Sequence, residues 1–482
     1  MRLGELLIAQ GLVTSADIAA ATRSQREKGG RLGEILVSAG KLSAGQLDAV
    51  IHQSPTPPRS IQETGIPAAS LLQLLMKIMF QQARNNVFDL AKAIRLPNSI
   101  VQDLTDDAAR RDLIQPMGSV THGAVSQIRY ALSERGRIAA QEALARNPYV
   151  GPAPVTLASF QAQIERQRIT NEAVDRPALN ACFEGLVVPE HFLRKIGPAI
   201  NAGRTILLFG PPGNGKTTLA TRLGKLFRHV VYIPHAVEIE GQIMTVYDPS
   251  LHKRVETEEA PAAGNVARRE EFDHRWMPCR RPVVIAGGEL QLDMLDLNTS
   301  AETRFYEAPL HVKALNGIFL IDDFGRQQVS PEALLNRWIL PMASRIDFLK
   351  LNTGRSFQLP FDELLIFSTN LDPADLMDPA FLRRIPYKIK LYAPTEVEYR
   401  AIFDAVAAQA GLELNDATFD LIVNRLTVQY GCKLAYYQPG FICDQVVANG
   451  KYEGVTPHFT EAGVMSALSN LYVHIADQQG ED

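Results

Sequence analysis

The apolar positions change their period several times along the chain, and each change marks a segment. In residues 1–54 they recur at helical spacing, and the pattern is written twice. Arg2-Leu3-Gly4-Glu5-Leu6-Leu7-Ile8 returns as Arg31-Leu32-Gly33-Glu34-Ile35-Leu36-Val37, a period of 29, with Gly11 answered by Gly40 and Ile18 by Leu47. Such a repeat predicts a small all-α module in which each copy forms two short amphipathic helices around a glycine break. Pro55, Pro57 and Pro58 then give an extended, semi-rigid linker over 55–66. Residues 67–150 read as a separate domain. Leu71, Leu72, Leu75, Ile78 and Met79 form a helical stripe, Phe88–Pro97 and the residues after Pro97 form a helix-turn-helix pair, and Ala124–Leu132 is a strand before a last helix. A connecting segment, 151–185, carries a helix pattern over Leu157–Ile169.

From 186 to 394 the pattern becomes short apolar runs, at Ile206–Phe209, Ile318–Ile321, Leu364–Phe367 and Tyr387–Leu391. Runs of this kind, set between helical patterns, read as buried strands. Between them Glu238–Tyr247 alternates like a hairpin strand, Glu256–Glu271 reads as a charged loop, and Phe348–Leu359 reads as a hairpin about Asn352-Thr353-Gly354. From 395 to 482 helical spacing resumes over about 395–410, 416–426, 437–449 and 460–474, the first helix opened by a Thr395/Glu398 capping box.

Composition narrows the functional classes. A length of 482 residues predicts roughly two to four domains. A net charge of −4 with 21% charged residues gives no global attraction to nucleic acid or to an anionic membrane. The four cysteines, Cys182, Cys279, Cys432 and Cys443, lie too far apart to suggest a metal cluster or a disulfide framework. The chain has no apolar run of membrane-spanning length and no signal-peptide pattern at its start, so a cytoplasmic protein is expected, with membrane association only through a partner.

The chemistry concentrates after the first buried run. Gly210-Pro211-Pro212-Gly213-Asn214-Gly215-Lys216-Thr217-Thr218 has the spacing of a P-loop. Its glycines let backbone N–H groups turn toward a polyphosphate, Lys216 can reach the β/γ-phosphates, and the Thr217 hydroxyl can ligate Mg²⁺. A second buried run ends in Asp322-Asp323, where the first acid would hold Mg²⁺ and the second would polarise the attacking water. A third ends at Ser368-Thr369-Asn370, and Asp378-Pro379-Ala380-Phe381-Leu382-Arg383-Arg384 precedes the fourth.

Taken in this order, the motifs resemble the core of an AAA+ ATPase from about Leu186 to the C-terminus. The resemblance implies a P-loop parallel sheet with a helical lid over 395–482, and ATP with Mg²⁺ as cofactors. It implies that Asn370 is a sensor-1 residue and that Arg383 or Arg384 is an arginine finger reaching the nucleotide of a neighbouring subunit in a homo-oligomeric ring, a hexamer. The hairpin before the third run is similar to the pre-sensor-1 hairpin of one AAA+ clade, which faces the ring pore. Two positions depart from the family pattern. Asp323 stands where Glu is usual, and the sensor-2 arginine has no clear counterpart in Tyr430-Gly431-Cys432-Lys433-Leu434, which leaves Lys433 as the candidate.

The N-terminal repeat resembles the MshEN-type domain of type II secretion and type IV pilus ATPases. It has two motifs, Arg2–Gln25 and Arg31–Ser54, around a spacer, Arg26–Gly30. That resemblance implies binding of cyclic di-GMP and nominates Arg2, Leu3, Gly4, Gly11, Gln25, Arg31, Leu32, Gly33 and Gly40; a docking module of the same fold without ligand is the alternative. The order of elements in 67–150 is similar to a winged helix. Its second helix carries Asp103, Asp106, Asp107 and Asp112 against Arg110 and Arg111, which favours a protein partner over DNA. The expected protein is therefore a multidomain α/β ATPase that remodels a protein client. A secretion or pilus motor and a DNA-binding regulator are the other readings.

Overall fold

Strands buried on both faces organise the centre of the molecule. The computed structural model describes residues 3–28, 32–43, 46–47, 54–122, 125–255, 272–299 and 305–471. Five strands, β1 (Ile206–Phe209), β2 (Val283–Ala286), β3 (Ile318–Ile321), β4 (Leu364–Thr369) and β5 (Tyr387–Lys390), form one sheet. Its order is β5-β1-β4-β3-β2, with every neighbouring pair parallel. All four residues of β3 and all six of β4 are buried, as expected when helices cover both faces. Alternation along the strands feeds two cores. Ile206, Leu208, Ile318, Leu320 and Ile366 pack with Phe192, Ile196 and Leu223, whereas Leu207, Phe319, Ile321 and Phe367 pack with Phe324 and Trp338. The parallel α/β core expected from the sequence is present, and the expected hairpin forms between Ile346–Lys350 and Ser356–Pro360.

Three expectations need correction. The segment 151–185 is not a connector. Val155–Thr156 is an edge strand of a second, mixed five-stranded sheet that also contains the hairpin strands Ala236–Ile239 and Gln242–Thr245. Ile169, Leu179, Cys182 and Phe183 belong to the core under β1, so the core unit begins well before 186. The reason is burial, because the apolar side chains on these short helices need a surface to cover. Gln167, itself buried, fixes the arrangement by donating to Tyr232 O at 3.1 Å and to Asn316 Oδ1 at 2.9 Å.

Nor is 55–66 a free linker. Asp273 N donates to Pro55 O at 2.8 Å, and buried Arg275 donates to Thr64 O at 3.1 Å. The third correction concerns 67–150, where two antiparallel strands form, Ile114–His122 and Val125–Leu132, against the single strand expected; Ala124 and the loop 256–271 lie outside the described residues. Pairing satisfies backbone groups that a lone strand would leave open. The helices of this unit are Ala68–Gln82, Val87–Ile94, Asn98–Arg110 and Glu134–Arg146.

The N-terminal repeat is written into the geometry. Leu3–Ala9 and Ser15–Lys28 form the first helical pair, and Leu32–Ser38 opens the second. Thr14 N bonds Asp17 Oδ2 at 3.0 Å while Asp17 N bonds Thr14 Oγ1 at 3.2 Å; Ser43 and Gln46 repeat the exchange at 2.9 and 3.1 Å, 29 residues on. In the C-terminal region the helices are Glu396–Gln409, with its capping box, Asp416–Asn424, Gln438–Glu453 and Glu461–Leu471. They share a core around Tyr399, Phe403, Ile422 and Leu468. No helix among the described residues is long and apolar enough to cross a membrane.

Candidate nucleotide site

The P-loop motif lies where β1 ends, between β5 and β4 of the sheet. At Gly210 φ is 141°, and a side chain there would collide with the carbonyl of Leu391, so the turn needs glycine. Gly213 and Gly215 follow with φ of 76° and 74°, and the helix Lys216–Arg222 begins. Lys216 is buried, and its Nζ donates to Gly210 O and Pro211 O at 2.9 Å each and to Asn370 Oδ1 at 2.6 Å. Burial lowers its pKa from the ordinary lysine value, while Asp322 and Asp323 act in the opposite sense.

β3 and β4 deliver the acids and the amide. Thr217 Oγ1 donates to Asp322 Oδ2 at 2.7 Å. Asn370 Nδ2 donates to Asp323 Oδ1 at 2.9 Å, which completes a chain from the loop carbonyls through Lys216 and Asn370 to Asp323. Asp323 sits in the left-handed region at φ 48°, a conformation Asp tolerates through its short polar side chain. The turn is pinned to β4 because Phe324 N bonds Ser368 O and Thr369 Oγ1 bonds Phe324 O, both at 2.7 Å.

These groups line a cleft of about 500 Å³, within the range of small-molecule sites. Leu186 and Val187 close one end together with Ile402 and Val406 of the helix Glu396–Gln409, so the apolar end lies between the sheet and the C-terminal helices. Pro212, Gly213, Asn214, Gly215, Thr217 and Thr218 line it as well; Gly210 and Pro211 form the turn behind it.

The residues present fit a nucleotide with Mg²⁺. Asn214 is buried with both amide atoms lacking a partner, and Ser368 Oγ is buried and unpartnered beside it in the same cleft. The Thr217 hydroxyl and the Asp322 carboxylate are hard oxygen donors suited to Mg²⁺. Among the described residues no group of three or more His, Cys, Asp or Glu side chains forms a metal cluster, so such a cation would take its other ligands from phosphate and water.

Arg383 and Arg384 are exposed and do not line this cleft; their guanidinium groups donate to Pro379 O and Ala380 O of their own turn at 3.2 Å each. Lys433 is also exposed and does not line the cleft. Instead the C-terminal helices bring Tyr436 and Tyr437, which sequence reasoning missed; the aromatic pair just before Gln438-Pro439 was the available signal. The Tyr436 hydroxyl is buried without a partner, and burial pushes its pKa up to about 12, with Glu398 adding to the shift.

In the N-terminal repeat, Leu3, Gly4, Leu32 and Gly33 are placed by packing. A Cβ on Gly4 would lie 3.1 Å from Ile18 and 3.4 Å from Leu32, and one on Gly33 would lie 2.7 Å from Leu47 and 3.3 Å from Leu3. Each glycine thus admits a leucine from the opposite copy. Gly11 and Gly40 turn the chain at φ 68° and 67°. Gln25 is half-buried on its helix, while Arg2 and Arg31 lie outside the described residues.

Comparison with known proteins adds the following. Residues 395–470 match a family described as a domain of unknown function (DUF8689). No curated protein sequence matches the chain. Among solved structures the chain is similar to the RuvB Holliday junction branch migration motor of Thermotoga maritima, with 15% identity, 62% of this chain and 70% of that one covered, and a TM-score of 0.31. It is similar also to NtrX from Brucella abortus, with 11% identity, 72% and 64% covered, and a TM-score of 0.36.

Proposed function

We propose that the chain is an ATPase of the AAA+ type that couples ATP hydrolysis to the remodelling of a protein partner. One observation carries the reading. Lys216, Thr217, Asp322, Asp323 and Asn370, drawn from three separate parts of the sequence, converge at the carboxyl ends of adjacent parallel strands around one cleft. Lys216 neutralises phosphate charge, Thr217 and Asp322 hold the cation, and Asn370 orients a water that Asp323 polarises. Mg²⁺ held by Thr217 and Asp322 would supply neutralisation of phosphate charge. Arg383 and Arg384 are exposed and do not line their own cleft, which suits a homo-oligomeric ring, such as a hexamer, in which they complete the site of the next copy. The N-terminal repeat serves as the regulatory module, taking cyclic di-GMP, and the 67–150 unit is a protein-contact domain of a cytoplasmic assembly.

Steady-state phosphate release tests the catalytic reading. Wild-type protein hydrolyses ATP, Lys216→Ala loses binding, and Asp323→Asn binds ATP while its turnover falls on the order of 10²-fold. Hydrolysis by Asp323→Asn at the wild-type rate would remove Asp323 from the role of base.

A further inference from the structure

The turn before the helix Gln438–Glu453 is locked. Gln438 is fully buried; its Oε1 accepts from Ala435 N at 2.8 Å and its Nε2 donates to Lys433 O at 3.1 Å, so one amide clamps both sides of the turn. Phe441 N bonds Tyr437 O at 3.1 Å, and Pro439 opens the helix. The turn so held sets the Tyr437 ring against the P-loop. A Cβ on Gly213 would run into ring atoms Cδ1 and Cε1 of Tyr437, and Gly213 itself needs the left-handed φ of 76°. Tyr437 is 45% exposed, on the cleft side. Of the described residues lining that cleft, Lys216 is the sole cation, so the C-terminal region contributes the aromatic rings of Tyr436 and Tyr437 and no positive charge.

We propose that Tyr437 is a positioning residue, an aromatic brace that ties the seating of the C-terminal helices to nucleotide binding through the P-loop backbone. The idea rests on the nucleotide reading above. A cation reaching from the same place would act on the γ-phosphate and would tell ATP from ADP. A neutral ring on Gly213 acts on the loop whose N–H groups cradle the α/β-phosphates, and these are common to both nucleotides. Contact of the ring with the glycine backbone is dispersive and excludes water, so it depends on the ring and not on the hydroxyl.

Titration of the full chain with Mg²⁺ and either a non-hydrolysable ATP analogue or ADP tests this. Tyr437→Ala weakens both ligands by a similar factor, about 5- to 10-fold, and Tyr437→Phe stays within about twofold of wild type for both. Thermal unfolding without nucleotide, compared across the same variants, reports any loss of fold. A loss confined to the ATP analogue would make Tyr437 a γ-phosphate sensor and overturn the proposal. So would unchanged affinities in Tyr437→Ala, or a Phe variant as weak as the Ala variant. Wild-type protein that binds neither nucleotide overturns the nucleotide reading, and this proposal with it.

Discussion

Asn370 shows what a single residue does in this site. Its Oδ1 takes a hydrogen bond from Lys216 and its Nδ2 gives one to Asp323, so one planar amide sets the distance between the Lys216 ammonium and the Asp323 carboxylate. Replacing it with Ala leaves Lys216 its two carbonyl partners but frees Asp323 to rotate. Asn370→Ala is therefore expected to keep ATP binding within a few fold and to lower turnover by about 10- to 100-fold, read by comparing titration with steady-state rate. The meeting of Lys216 with Asn370 and of Thr217 with Asp322 was legible in the sequence because each residue follows a buried run within a recognisable motif. Tyr437 was not. A ring packed on a glycine backbone leaves no spacing rule behind, and its partner lies more than two hundred residues away. The four repeat glycines were legible as a pattern, yet the sequence alone could not separate packing from ligand contact. The close approach of Leu3 to Gly33 and of Leu32 to Gly4 accounts for two of them by packing.

Elements with a strong period were the readable ones. All four C-terminal helices and the hairpin at 346–360 fall where the pattern put them, since each carries a buried face of its own. The second sheet was not readable as a sheet, because its strands are two to four residues long and come from 155, 236, 242, 298 and 306. Strands so short show no period, and only distant partners define them. The N-terminal repeat lies between these cases, with its symmetry plain and its ligand unstated. If its two copies hold one symmetric dinucleotide, corresponding arginines meet corresponding guanines, because arginine can bond N7 and O6 together. Calorimetry on the full chain should then show one cyclic di-GMP per chain. Arg31→Ala should weaken it about 5- to 150-fold, the loss of one charge-assisted bidentate contact, with GTP as the control. Equal heats from GTP, or none from cyclic di-GMP, would leave the repeat as a docking module.

At the scale of the whole molecule, buried polar groups stitch the segments together, and this makes the assembly sensitive to acid. Arg281 sits beside Glu172 at 3.3 Å and donates to Gln167 O and Asn316 O, joining the 151–185 segment to the start of β2 and to the approach to β3. Five histidines, His229, His235, His252, His274 and His311, are held below the usual imidazole pKa, in each case chiefly by burial. Burial lowers His235 from 6.5 to about 4, and the nearby Arg95 and Arg254 charges add to the effect. Above pH 6.5 the ring is neutral in both folded and unfolded chains, so its contribution is fully present. As pH falls toward 4 the unfolded chain takes up a proton that the folded chain refuses, and stability declines through that window. A shift from 6.5 to about 4 corresponds to about 3 kcal/mol at most for this one group. His235 lies 5.2 Å from the Tyr247 ring, and its backbone N bonds Arg275 O at 3.0 Å, next to buried Trp276. Tryptophan fluorescence therefore reports on this region, with Trp338 as the second probe. His235→Phe keeps a ring against Tyr247 and removes the titrating nitrogen. Denaturant midpoints measured from pH 7.5 down to 4.5 should fall steeply in the wild type and less steeply in His235→Phe, the two diverging only below about pH 6.5. Parallel curves across that range would show that His235 carries none of the acid sensitivity.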